Sequence, residues 1–218
     1  MIKAAVLGSP ISHSLSPLLH STAYAQMGLS ASYEAIEVKA DTLSRFMGER
    51  DETWTGFSLT MPLKEEAIAY ADHVEDLAKR INSANTLYRK AGEWHATSTD
   101  VIGFTNALKL HNVDVKGHVV ILGAGATARA AAAACDNSLT QITVINRSLA
   151  RVQAMSDAVI ESELGFLNWD DLSVLADADL VISTAPAGVT DSIDLPARTS
   201  APYFEALYKP WPTPASSL

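Results

Sequence analysis

Short apolar stretches rich in β-branched residues alternate with longer amphipathic or alanine-rich stretches along most of the chain. The first kind has the length and composition of strands, and the second kind has those of helices. Strands are predicted at residues 2–7, 32–38, 55–59, 86–89, 119–122, 141–145, 165–167, 180–183 and 203–207. Helices are predicted at residues 17–27, 42–48, 63–70, 74–80, 102–110, 127–135, 150–158 and 170–175. This alternation is typical of α/β proteins with largely parallel sheets, with one hairpin that turns at Gly92.

The most distinctive stretch begins at Val119, where an apolar run meets two glycines and then an alanine-rich segment. Gly123 allows a tight turn, and Gly125 lets the backbone approach a pyrophosphate at the N-terminus of the following helix. A glycine turn also occurs in parallel α/β proteins that bind no nucleotide. The flanking strand and helix favour a dinucleotide site over that alternative.

The end of the next predicted strand indicates which dinucleotide is bound. NAD sites usually have an Asp or Glu about 20 residues after the glycines, whereas an Arg there can pair with the 2′-phosphate of NADP. This chain has Asn146 and Arg147 at that point and no acidic residue. The sequence therefore predicts NADP as the cofactor.

A polar segment at residues 111–117 precedes the glycine-bearing strand. We predict an N-terminal domain at residues 1–102 and a Rossmann-like, NADP-binding domain at residues 103–218. Because ligand sites in such enzymes often involve a second domain, the N-terminal domain is expected to supply the substrate chemistry.

The composition narrows the possible partners. The chain is 48% hydrophobic and has a formal net charge of −9, which argues against a general role on nucleic acid or on a membrane surface. No apolar run approaches the roughly 18 residues of a membrane helix. The single cysteine, Cys135, excludes an internal disulfide and suits a cytoplasmic protein. No metal site is predicted, because no recognisable ligand pair occurs among His13, His20, His73, His95, His111 and His118.

Two polar clusters lie where predicted strands lead into helices. Ser14 and Ser16 come just before a helix that Pro17 can begin, so they form either a cradle for a carboxylate or a simple helix cap. Lys64 is expected in the first turn of the helix at residues 63–70, where the helix dipole disfavours a cation. It is therefore either a functional lysine or a solvated one beside Glu65.

Two further polar residues lie near the predicted hairpin. Asn85 precedes a strand, and its amide can bind a substrate hydroxyl or close a turn. Asp100 stands at the start of the helix that follows the hairpin, where it is either a functional carboxylate or a helix cap.

These motifs together resemble the shikimate dehydrogenase family. The resemblance extends over nearly the whole chain and rests on six motifs in order: Ser14-x-Ser16, Thr60-x-Pro62-x-Lys64, Asn85-Thr86, Thr99-Asp100-x-x-Gly103, Gly123-x-Gly125 and Asn146-Arg147. It implies an enzyme that reduces 3-dehydroshikimate to shikimate with NADPH, on the route to chorismate and the aromatic amino acids.

The resemblance also implies roles for single residues. Substrate contacts are implied for Ser14, Ser16, Thr60, Asn85 and Tyr208. Lys64 and Asp100 resemble the catalytic pair. Cofactor contacts are implied for Gly123, Ala124, Gly125, Ala126, Thr127, Asn146, Arg147, Arg151 and Thr184.

The chain departs from the family pattern at a few positions. Ser58 and Ser98 replace asparagines, and Ala126 replaces a glycine. The family pattern also continues into a helix with a Gln-Ala pair that returns to the substrate domain, and the 218 residues contain no such helix.

Two alternatives stay open. A relative that oxidises quinate or uses NAD is disfavoured by Ser16 and Arg147. A non-catalytic, NADP-binding regulatory protein is disfavoured by the presence of both Lys64 and Asp100. The family contains monomers and homodimers, and the sequence does not distinguish them.

Overall fold

The computed structural model describes residues 1–191, 193 and 201–217, apart from the side chain of residue 149. The chain forms two units, Met1–Thr99 and Asp100–Leu218. The predicted boundary at residues 102–103 lies close to this division. The assignment of substrate to one unit and NADP to the other remains a prediction.

The first unit is a six-stranded sheet with four helices. Its elements are β1 (Ile2–Gly8), α1 (Ser16–Gln26), β2 (Ala31–Glu37), α2 (Leu43–Gly48), β3 (Gly56–Leu59), α3 (Glu66–Tyr70), β4 (His73–Val74), α4 (Asp76–Arg80), β5 (Thr86–Lys90) and β6 (Glu93–Thr97). The strand order is β2-β1-β3-β5-β6-β4. β1 is parallel to β2 and β3, β4 is parallel to β6, and β5 is antiparallel to both of its neighbours.

Alternating side chains of this sheet build a core on each face. On one face Phe57 stacks on Trp54, with ring centroids 4.9 Å apart, and Trp94 packs beside them. A smaller cluster on the other face includes Val6 and Tyr33. The period-two pattern of the strands therefore fixes which polar residues face away from each core.

The second unit is a parallel five-stranded sheet with three α-helices among the described residues. Its elements are α5 (Asp100–Leu110), β7 (Gly117–Leu122), α6 (Ala126–Cys135), β8 (Thr140–Asn146), α7 (Val152–Ala158), β9 (Glu163–Asn168), β10 (Leu180–Ser183) and β11 (Tyr203–Glu205). The order is β11-β10-β7-β8-β9, and each neighbouring pair is parallel. Residues 149–151, 173–177 and 215–217 form short 3₁₀ turns.

The fold class predicted from the sequence is confirmed, with two mostly parallel α/β sheets. Several predicted elements differ from those of the structure. The helix predicted at 63–70 begins only at Glu66, and the one predicted at 74–80 begins at Asp76, because residues 73–74 pair with β6. The helix predicted at 170–175 is a 3₁₀ turn over Ser173–Asp177, and the last strand ends at Glu205.

Cys135 lies in the core of the second unit. It is fully buried at the end of α6, and burial raises the pKa of its thiol to about 12. Among the described residues, no helix combines the length and hydrophobicity that crossing a membrane requires.

Candidate active site

Three loops of the first unit emerge at one end of its sheet, where β1 and β3 end and β5 begins. β1 and β3 are parallel neighbours, so the segments that follow them leave from the same end. The Ser9 N–H donates to the Met61 carbonyl at 3.0 Å and joins those two segments directly. β5 is antiparallel to β3 and therefore starts at the same end of the sheet, where the Leu59 N–H donates to the Asn85 carbonyl at 2.7 Å. Ligands of open α/β sheets bind at the carboxyl ends of parallel strands.

The segment after β1 contributes two serines. Ser16 is the first residue of α1, and its N–H donates to the Ser14 hydroxyl at 3.3 Å. Both side chains are half-buried. Ser14 therefore helps to close the start of the helix, and this cap does not exclude the predicted contact with a carboxylate.

Sequence reasoning missed Tyr33, a residue of β2 whose hydroxyl reaches Ser58 near the end of β3. Its hydroxyl donates to the Ser58 Oγ at 2.6 Å. Burial raises the pKa of Tyr33, and hydrogen bonds with Ser58 and Ser16 only partly oppose that effect. Ser58 was noted in the sequence as a departure from the family pattern, but its partner lies on β2 and no local signal links the two residues.

Lys64 lies in a turn between β3 and α3. The Leu63 N–H donates to the Thr60 carbonyl at 2.9 Å, and Leu63 itself is fully buried. The prediction that Lys64 lies in the first turn of a helix was wrong, because the Ile68 N–H donates to the Glu65 carbonyl and not to that of Lys64, and α3 begins at Glu66. The dipole argument for Lys64 therefore does not apply. The Lys64 carbonyl instead accepts from the Ala84 N–H at 2.9 Å, which joins the turn to the segment before β5.

The Asn85 amide joins the start of β5 to the end of β6. Its Nδ2 donates to the Thr99 Oγ1 at 2.8 Å, and its Oδ1 accepts from the Thr99 N–H at 3.1 Å. The Thr86 hydroxyl also donates to this Oδ1, at 2.9 Å. The next residue, Asp100, is half-buried and begins α5. Thr99 was noted only as part of a motif, and its exchange with Asn85 is not evident from the sequence.

The glycine turn of the second unit follows β7, as predicted. Gly123 has φ of +108°, and its N–H donates to the Ile145 carbonyl at 2.9 Å. A Cβ at this position would lie 2.8 Å from the Thr184 Oγ1. That hydroxyl donates to the Leu122 carbonyl at 2.9 Å, so Thr184 fixes the turn from the end of β10. Glycine is required here both for the left-handed backbone and for space.

The second glycine leaves a cradle at the start of α6. Gly125 is the N-cap residue, Ala126 and Thr127 form the first turn, and Ala124 is buried beneath it. A Cβ at Gly125 would lie 3.6 Å from the Arg151 Nη1. The helix N–H groups and a guanidinium therefore lie near the same backbone position, an arrangement that suits a phosphate.

The end of β8 has the two residues that were predicted to select the cofactor. Asn146 is buried, and its Nδ2 donates to the Ser148 carbonyl at 2.6 Å. Arg147 is exposed. The asparagine therefore shapes the turn, and the arginine presents its charge to solvent.

Tyr208 lies three residues beyond β11 and its side chain is 53% exposed. Glu205 organises this segment, because it accepts from the Leu207 N–H and the Thr213 hydroxyl, both at 3.1 Å. Burial, together with the Glu205 carboxylate, raises the pKa of Tyr203 to about 12. Glu205 is a second residue that sequence reasoning missed.

A parallel sheet with this glycine turn between its strand and helix is typical of dinucleotide-binding α/β proteins. Two family models match the chain: the shikimate dehydrogenase substrate binding domain at residues 6–87, and shikimate / quinate 5-dehydrogenase at residues 106–190. The chain belongs to the shikimate dehydrogenase family, as its motifs predicted.

Individual relatives agree with this assignment. A shikimate dehydrogenase (NADP(+)) of Exiguobacterium is 34% identical over 216 residues, which cover 96% of this chain and 80% of the relative. A shikimate dehydrogenase (NADP(+)) of Ignicoccus hospitalis is 36% identical, and the alignment covers 88% of this chain and 71% of the relative.

Solved structures give the same result. The crystal structure of Mycobacterium tuberculosis shikimate dehydrogenase superposes on this chain with a TM-score of 0.88 at 36% sequence identity. The alignment covers all of this chain and 84% of the Mycobacterium tuberculosis chain. The enzyme of Thermus thermophilus, solved in complex with NADP(H) and shikimate, has a TM-score of 0.80 and 32% identity, with coverage of 96% and 80%.

Proposed function

We propose that this chain is an NADP-dependent shikimate dehydrogenase that reversibly reduces 3-dehydroshikimate to shikimate on the route to chorismate and the aromatic amino acids. The observation that carries the proposal is that the segments bearing Ser14, Ser16, Thr60 and Asn85 leave from one end of the first sheet. The bonds from Ser9 to Met61 and from Leu59 to Asn85 join these segments there. The names of the relatives and the Thermus thermophilus complex support the same reaction.

Substrate binding is assigned to hydroxyl and amide groups at this end of the first sheet. Ser14 and Ser16 hold the carboxylate at the start of α1, where backbone N–H groups and two hydroxyls favour an anion. Thr60 and Asn85 bind ring hydroxyls. The two hydrogen bonds with Thr99 orient the Asn85 amide before substrate arrives, which reduces the entropy that binding costs. Tyr208 is assigned to the carboxylate by the resemblance alone.

The catalytic roles are assigned to Lys64 and Asp100. Reduction of the carbonyl develops negative charge on its oxygen, and an ammonium group there stabilises the charge and delivers a proton. Lys64 has this role in the proposal. Asp100 is assigned the roles of accepting a hydrogen bond from a neighbouring hydroxyl and of orienting the lysine.

The residues of the second unit fit NADP. The pyrophosphate is assigned to the Gly123–Thr127 turn, where Gly125 leaves room and Arg151 lies near. Arg147 and Asn146 are assigned to the 2′-phosphate side, and Thr184 to the loop near the nicotinamide. When bound, NADP supplies or accepts the hydride.

Other properties belong to the same proposal. The substrate class is a small carboxylated ring alcohol, in keeping with the relatives solved in complex with shikimate. A monomer or a homodimer in the cytoplasm is expected, and the buried, reduced Cys135 agrees with that compartment.

The test is the initial rate of NADP reduction by the purified chain with shikimate, followed by the absorbance of the reduced nicotinamide. NAD replaces NADP and quinate replaces shikimate in parallel reactions. Turnover that requires both shikimate and NADP supports the proposal. Binding of NADP without turnover on either substrate favours the regulatory alternative, and faster turnover with quinate or NAD favours the other branch of the family.

A further inference from the structure

Three potential metal ligands meet on the outer edge of the first sheet. β4 pairs in parallel with β6, and this register sets His73 directly opposite His95. Glu93 lies two residues before His95 on β6 and therefore on the same face. Trp94, between them, points into the core and is buried. The outward positions of β4 and β6 thus present two imidazoles and a carboxylate side by side.

The distances within this His–Glu–His cluster suit one ion. The His73 Nε2 lies 2.9 Å from a Glu93 carboxylate oxygen. One ligand atom from each of the three residues lies within 4.8 Å of the others. Tetrahedral ligands at bonds of about 2.1 Å are separated by roughly 3.4 Å, so rotation of the exposed His73 and Glu93 side chains against the half-buried His95 can bring the three ligand atoms to one ion.

Ring stacking orders the two histidines. The rings of His73 and His95 stack with centroids 4.6 Å apart at 22°, and Tyr88 stacks on the other side of His95 at 5.2 Å and 21°. The three rings form one row across β4, β6 and β5. Stacking keeps the two side chains next to each other, and because a bound ion lies in the plane of each imidazole, the rings turn out of the stack when they bind it.

We propose that His73, Glu93 and His95 form a binding site for one divalent transition metal ion, of which Zn²⁺ is the expected one. Imidazole nitrogens together with a carboxylate favour zinc and its neighbours, whereas Mg²⁺ and Ca²⁺ prefer oxygen ligands throughout. The ion replaces the proton between the His73 nitrogen and the Glu93 oxygen, and water fills its remaining positions. Binding then clips β4, a strand of two residues at the edge of the sheet, to β6.

This site lies outside the residues assigned to shikimate and NADP. The site could not be predicted from the sequence, because His73 and His95 are far apart along the chain and meet only through the pairing of β4 with β6. The single thiol does not compete for the ion, since Cys135 is buried and its pKa is about 12.

The experiment is a zinc titration of the full, untagged chain by isothermal calorimetry, with Mg²⁺ as the parallel ion. The variants are His73→Gln, His95→Gln and Glu93→Gln, and His111→Gln is the matched control because it removes an exposed histidine of the second unit. Thermal unfolding without metal establishes that each variant is folded. The same unfolding curves with excess zinc report whether the ion stabilises the chain.

One zinc ion per chain is expected, with no comparable binding of Mg²⁺. Each histidine variant should weaken the affinity by about tenfold or more, and the control should bind as the wild type does. Zinc should raise the unfolding temperature of the wild type and of the control but not that of the histidine variants. Zinc binding that persists unchanged in both histidine variants, or the absence of saturable binding in the wild type, overturns the proposal. If a histidine variant does not fold, Glu93→Gln takes its place: weaker zinc binding supports the proposal, and unchanged binding overturns it.

Discussion

Asn85 and Thr99 exchange two hydrogen bonds, so the amide just before β5 is fixed by the second residue after β6. The Asn85 Oδ1 also accepts from the Thr86 hydroxyl, which leaves the amide little freedom to rotate. Two hairpin strands thereby hold a proposed substrate contact in place. Orientation of this kind lowers the entropy lost when substrate binds.

Thr99→Val should weaken substrate binding, because it removes the acceptor of the Asn85 Nδ2 while preserving side-chain shape. The loss of one hydrogen bond, about 1 kcal/mol, corresponds to a rise of roughly fivefold in KM for shikimate with a smaller change in kcat. Steady-state kinetics measure both. Thr99→Ser keeps the hydroxyl and should restore the wild-type KM, and an unchanged KM in the valine variant would contradict the assigned role.

Lys64→Ala should lower turnover far more than substrate affinity. Loss of a positioned acid and of its charge costs roughly 10² to 10⁴ in kcat, whereas the remaining polar groups still hold the substrate. Kinetics with shikimate and NADP measure this change. Lys79→Ala is the matched control, since Lys79 is an exposed lysine of the same unit and pairs only weakly with Asp76. A kcat close to that of the wild type in Lys64→Ala would exclude the mechanism.

Local signals in the sequence predicted most strands and the glycine turn. The stretch around Gly123 combines an apolar strand, a position that requires glycine and a helix, all within one short segment of chain. Element starts were less secure. Lys64 was placed on a helix because nothing local reveals that its carbonyl accepts from the distant Ala84 N–H.

Contacts between distant strands could not be predicted in this way. The bond between Tyr33 and Ser58 and the meeting of His73 with His95 depend on which strands are neighbours and in what register. A shift of one residue would send these side chains to the opposite face. Register depends on the packing of the whole sheet, so a single sequence without related sequences does not reveal it.

Arg147→Ala should change the choice of cofactor. If the exposed guanidinium pairs with the 2′-phosphate, its loss removes a charged hydrogen bond of about 1.5–3 kcal/mol, or roughly 10- to 100-fold in kcat/KM for NADP. The value for NAD should change little. Arg45→Ala, which removes an arginine whose side chain is 86% exposed, is the control. An equal effect on both cofactors would show that Arg147 does not read the phosphate.

Gly123→Ala should impair both folding and NADP binding. An alanine at φ of +108° is strained, and its Cβ would lie 2.8 Å from the Thr184 hydroxyl. A cost of about 1–3 kcal/mol corresponds to a fall of roughly 2–10 °C in the unfolding temperature. Gly48→Ala is the matched control, because its Cβ would meet no atom within 4 Å. Calorimetry with and without NADP measures both effects, and a variant as stable as the control would contradict the strain.

Asp136 should make stability depend on pH. Burial raises the pKa of this carboxylate, but the N–H groups of Ile160, Ser162 and Glu161 donate to it at 2.8–2.9 Å, and the net result is a lowered pKa. The ionised group therefore stabilises the folded chain at every pH above its ordinary value of 3.8, and this contribution is lost as the pH falls through the lower, folded value.

Asp136→Asn should accordingly lower the free energy of unfolding at neutral pH by on the order of 1 kcal/mol, since partial exposure screens the charge. Urea titrations between about pH 7 and pH 3 measure the difference from the wild type. That difference should stay constant down to about pH 5 and narrow below it. Asp170→Asn, which alters an exposed carboxylate of the same unit, should show little difference at any pH. A gap for Asp136→Asn that is the same at both ends of the range would mean that the charge does not stabilise this turn.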